Sequence, residues 1–188
     1  MTLYTGKGDD GTTKTFGCNQ RISKSSNVTE ALGALDEINS FLGLIKVKTV
    51  GGSVKMEILG DGFDKIANNI QQNLFIIQAE VAGSDMTIAE EKLRECENYA
   101  NEGEKILPPI KNFFISGGTE MAVLCDISRT MARRAERRVI AIVDEGDESR
   151  AIGKWTLAYL NRLSSLLYVM ARLANHFNGL SEDAPTYK

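Results

Sequence analysis

Apolar residues recur every three or four positions through five separate stretches of this 188-residue chain, a spacing that excludes most folds. In VTEALGALDEINSFLGLIK, Val28, Ala31, Leu32, Leu35, Ile38, Leu42 and Ile45 share one side of a helix. Asn27 followed by Glu30 has the form of a capping box, so the helix is predicted to begin there. A glycine-containing stretch over 49–62 breaks the pattern. A second helix then runs through FDKIANNIQQNLFIIQAEVAG, with Ile66, Ile70, Leu74, Ile77 and Val81 inside. A third, more polar helix covers 87–106, and Pro108 and Pro109 stop it. After a short loop, NFFISGG, a fourth helix is predicted over 119–144. The fifth, over 148–178, is apolar on much of its circumference. Sustained strand-like alternation is nearly absent. The fold class implied is all-α, a five-helix bundle forming a single domain over 27–188 behind a glycine-rich lead over 1–26.

Charge and cysteines narrow the function classes. A hydrophobic share of 43% suffices for a core, and a net charge of −3 argues against a nucleic-acid partner. Cys18, Cys96 and Cys125 are odd in number and scattered, with no C-x-x-C spacing, so reduced thiols in a cytoplasm are the simplest expectation. No apolar run approaches a membrane span, and the N-terminus lacks the apolar core of a signal peptide. The single histidine, His176, has no second histidine with which to share a metal and reads as a helix-end surface residue.

Two polar stretches stand out from the bundle pattern. YTGKGDDGTTKTFG, residues 4–17, spells G-x-G-x-x-G but lacks the preceding strand and following helix of a dinucleotide fingerprint. No Gly-Lys pair has Walker A spacing either. Glycine, lysine and threonine together suit an anion, yet the same composition suits an unfolded tail, and both readings remain open.

The second stretch is CDISRTMARRAERRVIAI. Arg129, Arg133 and Arg137 line one stripe of the fourth helix, and Arg134 and Arg138 fall beyond it. Met131, Ala135, Val139 and Ile142 point the other way. The stripe is either a solvated face paired with acids of neighbouring helices or a set of forks for a polyphosphate. A DNA-reading helix fits the acidic charge poorly. Asp36, on the polar flank of the first helix, is a candidate partner for one of these arginines. Asn161, in the otherwise apolar fifth helix, is expected to be buried and to need partners, so it is either structural polar glue or a ligand contact.

In order and spacing, YTGKGDDGTT, RISK, EALGALDEINSFLG, NNIQQNLFIIQAEVA, FFISGG, SRTMARRAERRV and YLNRLSSLLYVMAR match one family. The chain resembles the PduO-type ATP:cob(I)alamin adenosyltransferases over nearly its whole length. The resemblance implies a homotrimer with active sites between subunits. It also implies transfer of the 5′-deoxyadenosyl group of ATP to the cobalt of reduced cobalamin, with release of triphosphate. Mg²⁺ would be held mainly through the ATP phosphates.

By the same resemblance, Thr5, Gly6, Lys7, Gly8, Thr13 and Lys14 would wrap those phosphates, and Lys24 would also touch ATP. Arg133, Arg134, Glu136 and Arg137 fall on the ATP-binding RRAER, and Asn161 on the asparagine of YLNRLS. Asp36 and Arg129 match a salt bridge between subunits that shapes the corrin site. They join Arg133 as the residues nearest the chemistry. Phe113 matches the ring that packs beneath the corrin and displaces its lower axial ligand. Phe113 and Phe114 are both candidates for that ring, and counting back from Arg129 favours Phe113. Implied partners are a reductase supplying the electron and an enzyme accepting adenosylcobalamin. The chain departs from the family at Lys7, one place from the usual lysine, and at Ser116, Cys125 and Ser165, where proline, histidine and aspartate are common.

Overall fold

All five predicted helices form, and their ends show how the chain starts and stops them. The structure is a computed structural model and describes residues 4–16, 20–50, 56–146 and 151–187. The helices are α1 (Asn27–Thr49), α2 (Phe63–Val81), α3 (Glu90–Ile106), α4 (Glu120–Asp144) and α5 (Lys154–Phe177). Two short antiparallel pairs accompany them. β1 (Thr12–Thr13) lies against β2 (Ile22–Ser23), and β3 (Glu57–Ile58) against β4 (Asp61–Gly62).

The capping of α1 differs from expectation. Ser26, not Asn27, is the N-cap, and its hydroxyl accepts from the Thr29 amide at 3.4 Å. The Asn27 side chain instead donates to Glu145 at the end of α4, at 2.6 Å. Thr119 caps α4 as its sequence suggests, accepting from the Ala122 amide at 3.1 Å. At the end of α2, Gly83 takes φ +101°, the Ser84 amide reaches Ala79 O and the Gly83 amide Glu80 O. That is a Schellman stop, which only a left-handed residue allows.

The third helix starts at Glu90 rather than 87, and the fifth at Lys154 rather than 148. Of the predicted start of α5, residues 148–150 lie outside the described residues, as do Gly17, Cys18 and part of the 49–62 stretch. The later start of α5 has a tertiary cause. Its N-cap is Gly153, which offers no side chain, and the amide of Gly153 donates to Glu80 of α2 at 2.8 Å. Glu80 is buried, and it also accepts from Thr87 at 2.9 Å and from the Thr156 hydroxyl. A Cβ at position 153 would lie 2.6 Å from Thr87 Oγ1, so glycine is what lets the chain approach this carboxylate.

Helix α5 runs through the middle of the bundle. It packs against α4 on one side and α3 on the other, while α1 packs against both α4 and α2. Leu160, Leu163, Leu167, Met170, Leu173 and Ala174 are fully buried along it. Asn73 of α2 donates to the buried Tyr159 hydroxyl at 3.1 Å, tying α2 to α5. Among the described residues, no helix is long and apolar enough to cross a membrane.

Candidate active site

The N-terminal lead is folded where it is described. Gly6 at φ +68° and Gly11 at φ +78° turn the chain twice. The Asp9 amide donates to Gly6 O at 3.2 Å and the Gly11 amide to Gly8 O at 3.2 Å. β1 then pairs with β2, and the Lys24 amide closes the turn onto Gly11 O at 2.9 Å. The pairing brings Lys24 over the loop. A Cβ at Gly8 would lie 3.1 Å from the Lys24 ammonium and 3.1 Å from Thr12 O. Gly8 and Lys24, sixteen residues apart, thus meet because position 8 has no side chain. Thr5, Gly6, Lys7 and Lys14 are exposed, and Thr13 is half-buried in β1.

Arg21 holds this turn together, a role its sequence context did not show. Its guanidinium donates to Thr12 Oγ1 at 2.5 Å, to Thr12 O at 2.9 Å and to Lys7 O, and it lies 3.6 Å from Asp10. The Asp10 carboxyl is held below its usual range, chiefly by the hydrogen bond from the Thr12 side chain.

Helix α4 sorts its arginines into two groups. Arg134 pairs with Glu37 of α1, and Arg138 with Glu30 at 3.3 Å. These exposed pairs are the solvated, acid-matched face that one sequence reading foresaw. Arg133 and Arg137 are also exposed, but no acid holds them among the described residues. They stand one turn apart, about 6 Å along the axis, which suits successive phosphate groups. Beside them Glu136 accepts from Asn161 Nδ2 at 2.9 Å. Asn161 is exposed, not buried as expected, because its face of α5 looks past α4 to solvent. Arg162 continues the network, donating to Asn161 Oδ1 at 2.6 Å and to Glu97 of α3 at 3.0 Å.

Arg129 belongs to a different neighbourhood. Its Nε donates to Asp126 at 2.6 Å, and its guanidinium lies 5.9 Å from the Tyr168 ring centroid. The Asp126 carboxylate also accepts from the Ser116 hydroxyl. Burial works against the charged form of Asp126, but the hydrogen bonds from Arg129 and Ser116 outweigh it and hold the carboxyl below its usual range. Ser116 therefore ties the 112–118 loop to the acid that orients Arg129. Asp36 is exposed on α1 and has no partner among the described residues, so within one chain it does not meet Arg129.

Arg129 and Tyr168 line an open cleft of about 1010 Å³ whose other walls include Ile110, Phe113, Phe114 and Tyr187. Its rim is unusually apolar for a surface. Phe113 is 79% exposed, and Ile110, Ile115 and Tyr187 are exposed beside it. Contiguous exposed apolar surface of this kind marks a binding site rather than a packing defect. Phe114 turns inward, beneath the guanidinium of Arg172. Both rings line the cleft, Phe113 the more exposed and Phe114 half-buried against Arg172.

The loop and the cleft are far apart within one chain. The lead joins the bundle beside Glu145, and the cleft abuts Arg129, about 24 Å away along α4. Arg133 and Arg137 lie between. Cys125 is buried under this end of α4, and desolvation pushes its thiol well up, so it is an inert packing group. Among the described residues, no group of three or more His, Cys, Asp or Glu gathers to hold a metal.

Comparison with known proteins gives one answer. The cobalamin adenosyltransferase family model matches residues 3–174. The Bacillus subtilis corrinoid adenosyltransferase is 34% identical, covering 97% of this chain and 91% of that protein. The Citrobacter freundii corrinoid adenosyltransferase PduO is 32% identical over 94% of this chain, which spans half of that protein's length. Among solved structures, a phenylalanine-to-histidine variant of the Lactobacillus reuteri PduO-type ATP:corrinoid adenosyltransferase, complexed with cobalamin and ATP, superposes with a TM-score of 0.84. It is 26% identical and covers 98% of this chain and 97% of that one. An arginine-to-lysine variant of the same enzyme, complexed with ATP, gives a TM-score of 0.82 at 26% identity, covering 97% and 99% of the two chains.

Proposed function

The chain belongs to the cobalamin adenosyltransferase family, and from that premise we infer an ATP:corrinoid adenosyltransferase. It moves the 5′-deoxyadenosyl group of MgATP to cob(I)alamin and releases triphosphate. The observation that supports this reading most directly is the layout of α4. One helix carries Arg129 at the edge of an apolar cleft, then, one and two turns further on, two arginines with no acid partner among the described residues.

The chemistry needs little beyond positioning. Cob(I)alamin brings the electron pair, the Co–C bond forms as C5′–O5′ breaks, and the electrons leave on the triphosphate oxygen. No side-chain nucleophile or proton transfer is required. The protein's tasks are in-line alignment and neutralisation of the leaving group. Arg133 and Arg137 take the triphosphate, together with Lys24 and the turn formed by Thr5, Gly6, Lys7 and Gly8. Thr13, in β1, and Lys14, just after it, join them, and Mg²⁺ arrives on the phosphates. Glu136 and Asn161, already hydrogen-bonded to each other, meet the polar groups of the nucleoside. Arg134 is the least suited of the set, because Glu37 holds it.

The cleft receives the corrin. Phe113 supplies an apolar surface against which a lower axial ligand finds no partner. Losing that ligand eases reduction of cob(II)alamin to the nucleophilic Co(I) state.

The assembly that fits this layout is a homotrimer whose sites lie between subunits, with the 1–26 lead as its ATP-binding segment. The wide separation of lead and cleft in one chain supports it, since a neighbouring copy can bring them together. Exposed apolar residues on α1 and α4, including Val47, Ile127 and Ile140, offer contact surface for such copies. Asp36 and Arg129 would then pair across the interface. A reductase supplies the electron, an adenosylcobalamin-dependent enzyme takes the product, and the place of action is the cytoplasm.

The test is anaerobic mixing of the purified protein with MgATP and reduced cobalamin, followed in the visible spectrum for a light-sensitive Co–C product. Arg133→Ala is expected to lower kcat/KM for ATP by about 10²-fold, the scale of one lost charge-stabilising donor. Binding of ATP by the wild-type protein without product would overturn the enzyme reading.

A further inference from the structure

Arg172 is the sole buried lysine or arginine among the described residues, and nothing in the proposed chemistry uses it. It sits where α5 is buried on all sides, from Val169 to Asn175, wrapped by the loop before α4 and by the C-terminal tail. Its Nε donates to Glu182 Oε2 at 2.8 Å and its Nη2 to Pro108 O at 3.1 Å. Its face lies 5.1 Å from the Phe114 ring centroid. A buried ion pair contributes little net stability compared with a well-packed apolar substitute, so its retention needs another reason.

The reason lies in what the two sides of the guanidinium hold. On one side are Pro108 and Phe114, the base of the loop that offers Phe113 to the cleft. On the other is Glu182, and within five residues of it Ala184, Pro185 and Tyr187 form the opposite wall. One backbone bond links the two sides independently, from the Ile115 amide to Asp183 O at 2.8 Å. The far end of the loop is locked separately. Asn175 accepts from the Thr119 amide at 2.9 Å and donates to Gly117 O at 3.0 Å, filling the space a Cβ at Gly118 would need.

We propose that Arg172 and Glu182 form a positioning clamp that sets the width of the cleft, and with it the affinity for the flat corrin macrocycle, without touching the corrin. The inference rests on the cleft being the corrin site. Arginine suits the task because its planar fork spans two acceptors at fixed separation, which an ammonium cannot do.

Two variants test it in the full chain. Arg172→Lys keeps the charge and loses the fork. Glu182→Gln keeps the shape and loses the charge from the tail side. Both are expected to raise the cobalamin KM, and the Kd measured by direct titration, roughly tenfold, the effect of one lost charge-assisted hydrogen bond. The ATP KM stays put, kcat recovers at high cobalamin, and hydrogen exchange at the Ile115 amide accelerates. A parallel rise in both KM values, or unchanged cobalamin binding alongside a lowered Tm, would show the pair to be merely structural and overturn the clamp. Absence of product in the wild type would instead overturn the corrin-site reading, a result distinct from either.

Discussion

Replacing Phe113 by alanine separates the corrin role of this ring from any role in the fold. The ring is 79% exposed, so little of it is packed in the free protein. A fully buried Phe→Ala change costs about 3–5 kcal/mol, and scaling by the covered fifth leaves under about 1 kcal/mol. The thermal midpoint is therefore expected to move by no more than a few degrees. In the complex the situation reverses. A phenylalanine side chain carries about 200 Å² of apolar surface, four-fifths of it free, and a macrocycle laid on one face covers about half of that. At about 25 cal/mol per Å² the covered 80 Å² is worth about 2 kcal/mol, or roughly 30-fold in cobalamin Kd. The loss should be larger in an assay that starts from cob(II)alamin with a reductant than in one supplied with cob(I)alamin, because only the former needs the lower ligand removed. Both assays are read in the visible spectrum under anaerobic conditions. Equal losses in the two would refute the ligand-displacement role, and a large drop in Tm would refute the claim that the ring is free.

Other substitutions probe the remaining contacts. Gly8→Val places a side chain where the Lys24 ammonium now sits, so the ATP KM should rise severalfold in steady-state assays while the exposed lead leaves Tm unchanged. Glu80→Ala removes the acceptor of the Gly153 amide and of the Thr87 and Thr156 hydroxyls, and calorimetry or urea titration should report a loss of about 3 kcal/mol. The folded Asp126 carboxyl titrates below its ordinary value near 3.8, so its contribution is complete above that value and is lost as pH falls through the lower, folded one. Urea titrations of wild type and Asp126→Asn should accordingly differ above pH 4 and converge on further acidification. A constant gap across that range would show that Asp126 does not titrate as its hydrogen bonds imply.

The bundle was legible because helical periodicity is a local signal. Leu35, Ile38, Leu42 and Ile45 announce a buried stripe whatever lies across from it, and all four are fully buried. Helix ends are less legible wherever the cap comes from elsewhere in the chain. Gly153 looks like an ordinary glycine until Glu80, contributed by α2, is seen bonded to its amide. Ser26 took the cap from Asn27 because the Asn27 amide found Glu145 at the far end of α4. The arginine stripe was visible in the sequence, but not which of its members were already engaged by acids. That depended on where α1 set Glu30 and Glu37. The arginine amid YVMARLANHF is a signal open to reading, since a charge in so apolar a stretch needs a partner, yet the partner lies ten residues on in the tail.

By itself, then, the sequence determined the five helices, the inward faces, the glycines that let the lead turn and the set of cationic and aromatic residues available for ATP and a corrin. Each follows from short-range rules of backbone geometry and side-chain periodicity. Tertiary structure alone decided which arginines pair with acids of α1, that Phe113 is exposed while Phe114 packs against Arg172, and that Arg172 joins the loop to the tail. Those outcomes depend on the approach of segments distant along the chain, where burial and charge pairing are set by three-dimensional packing rather than by neighbours in sequence.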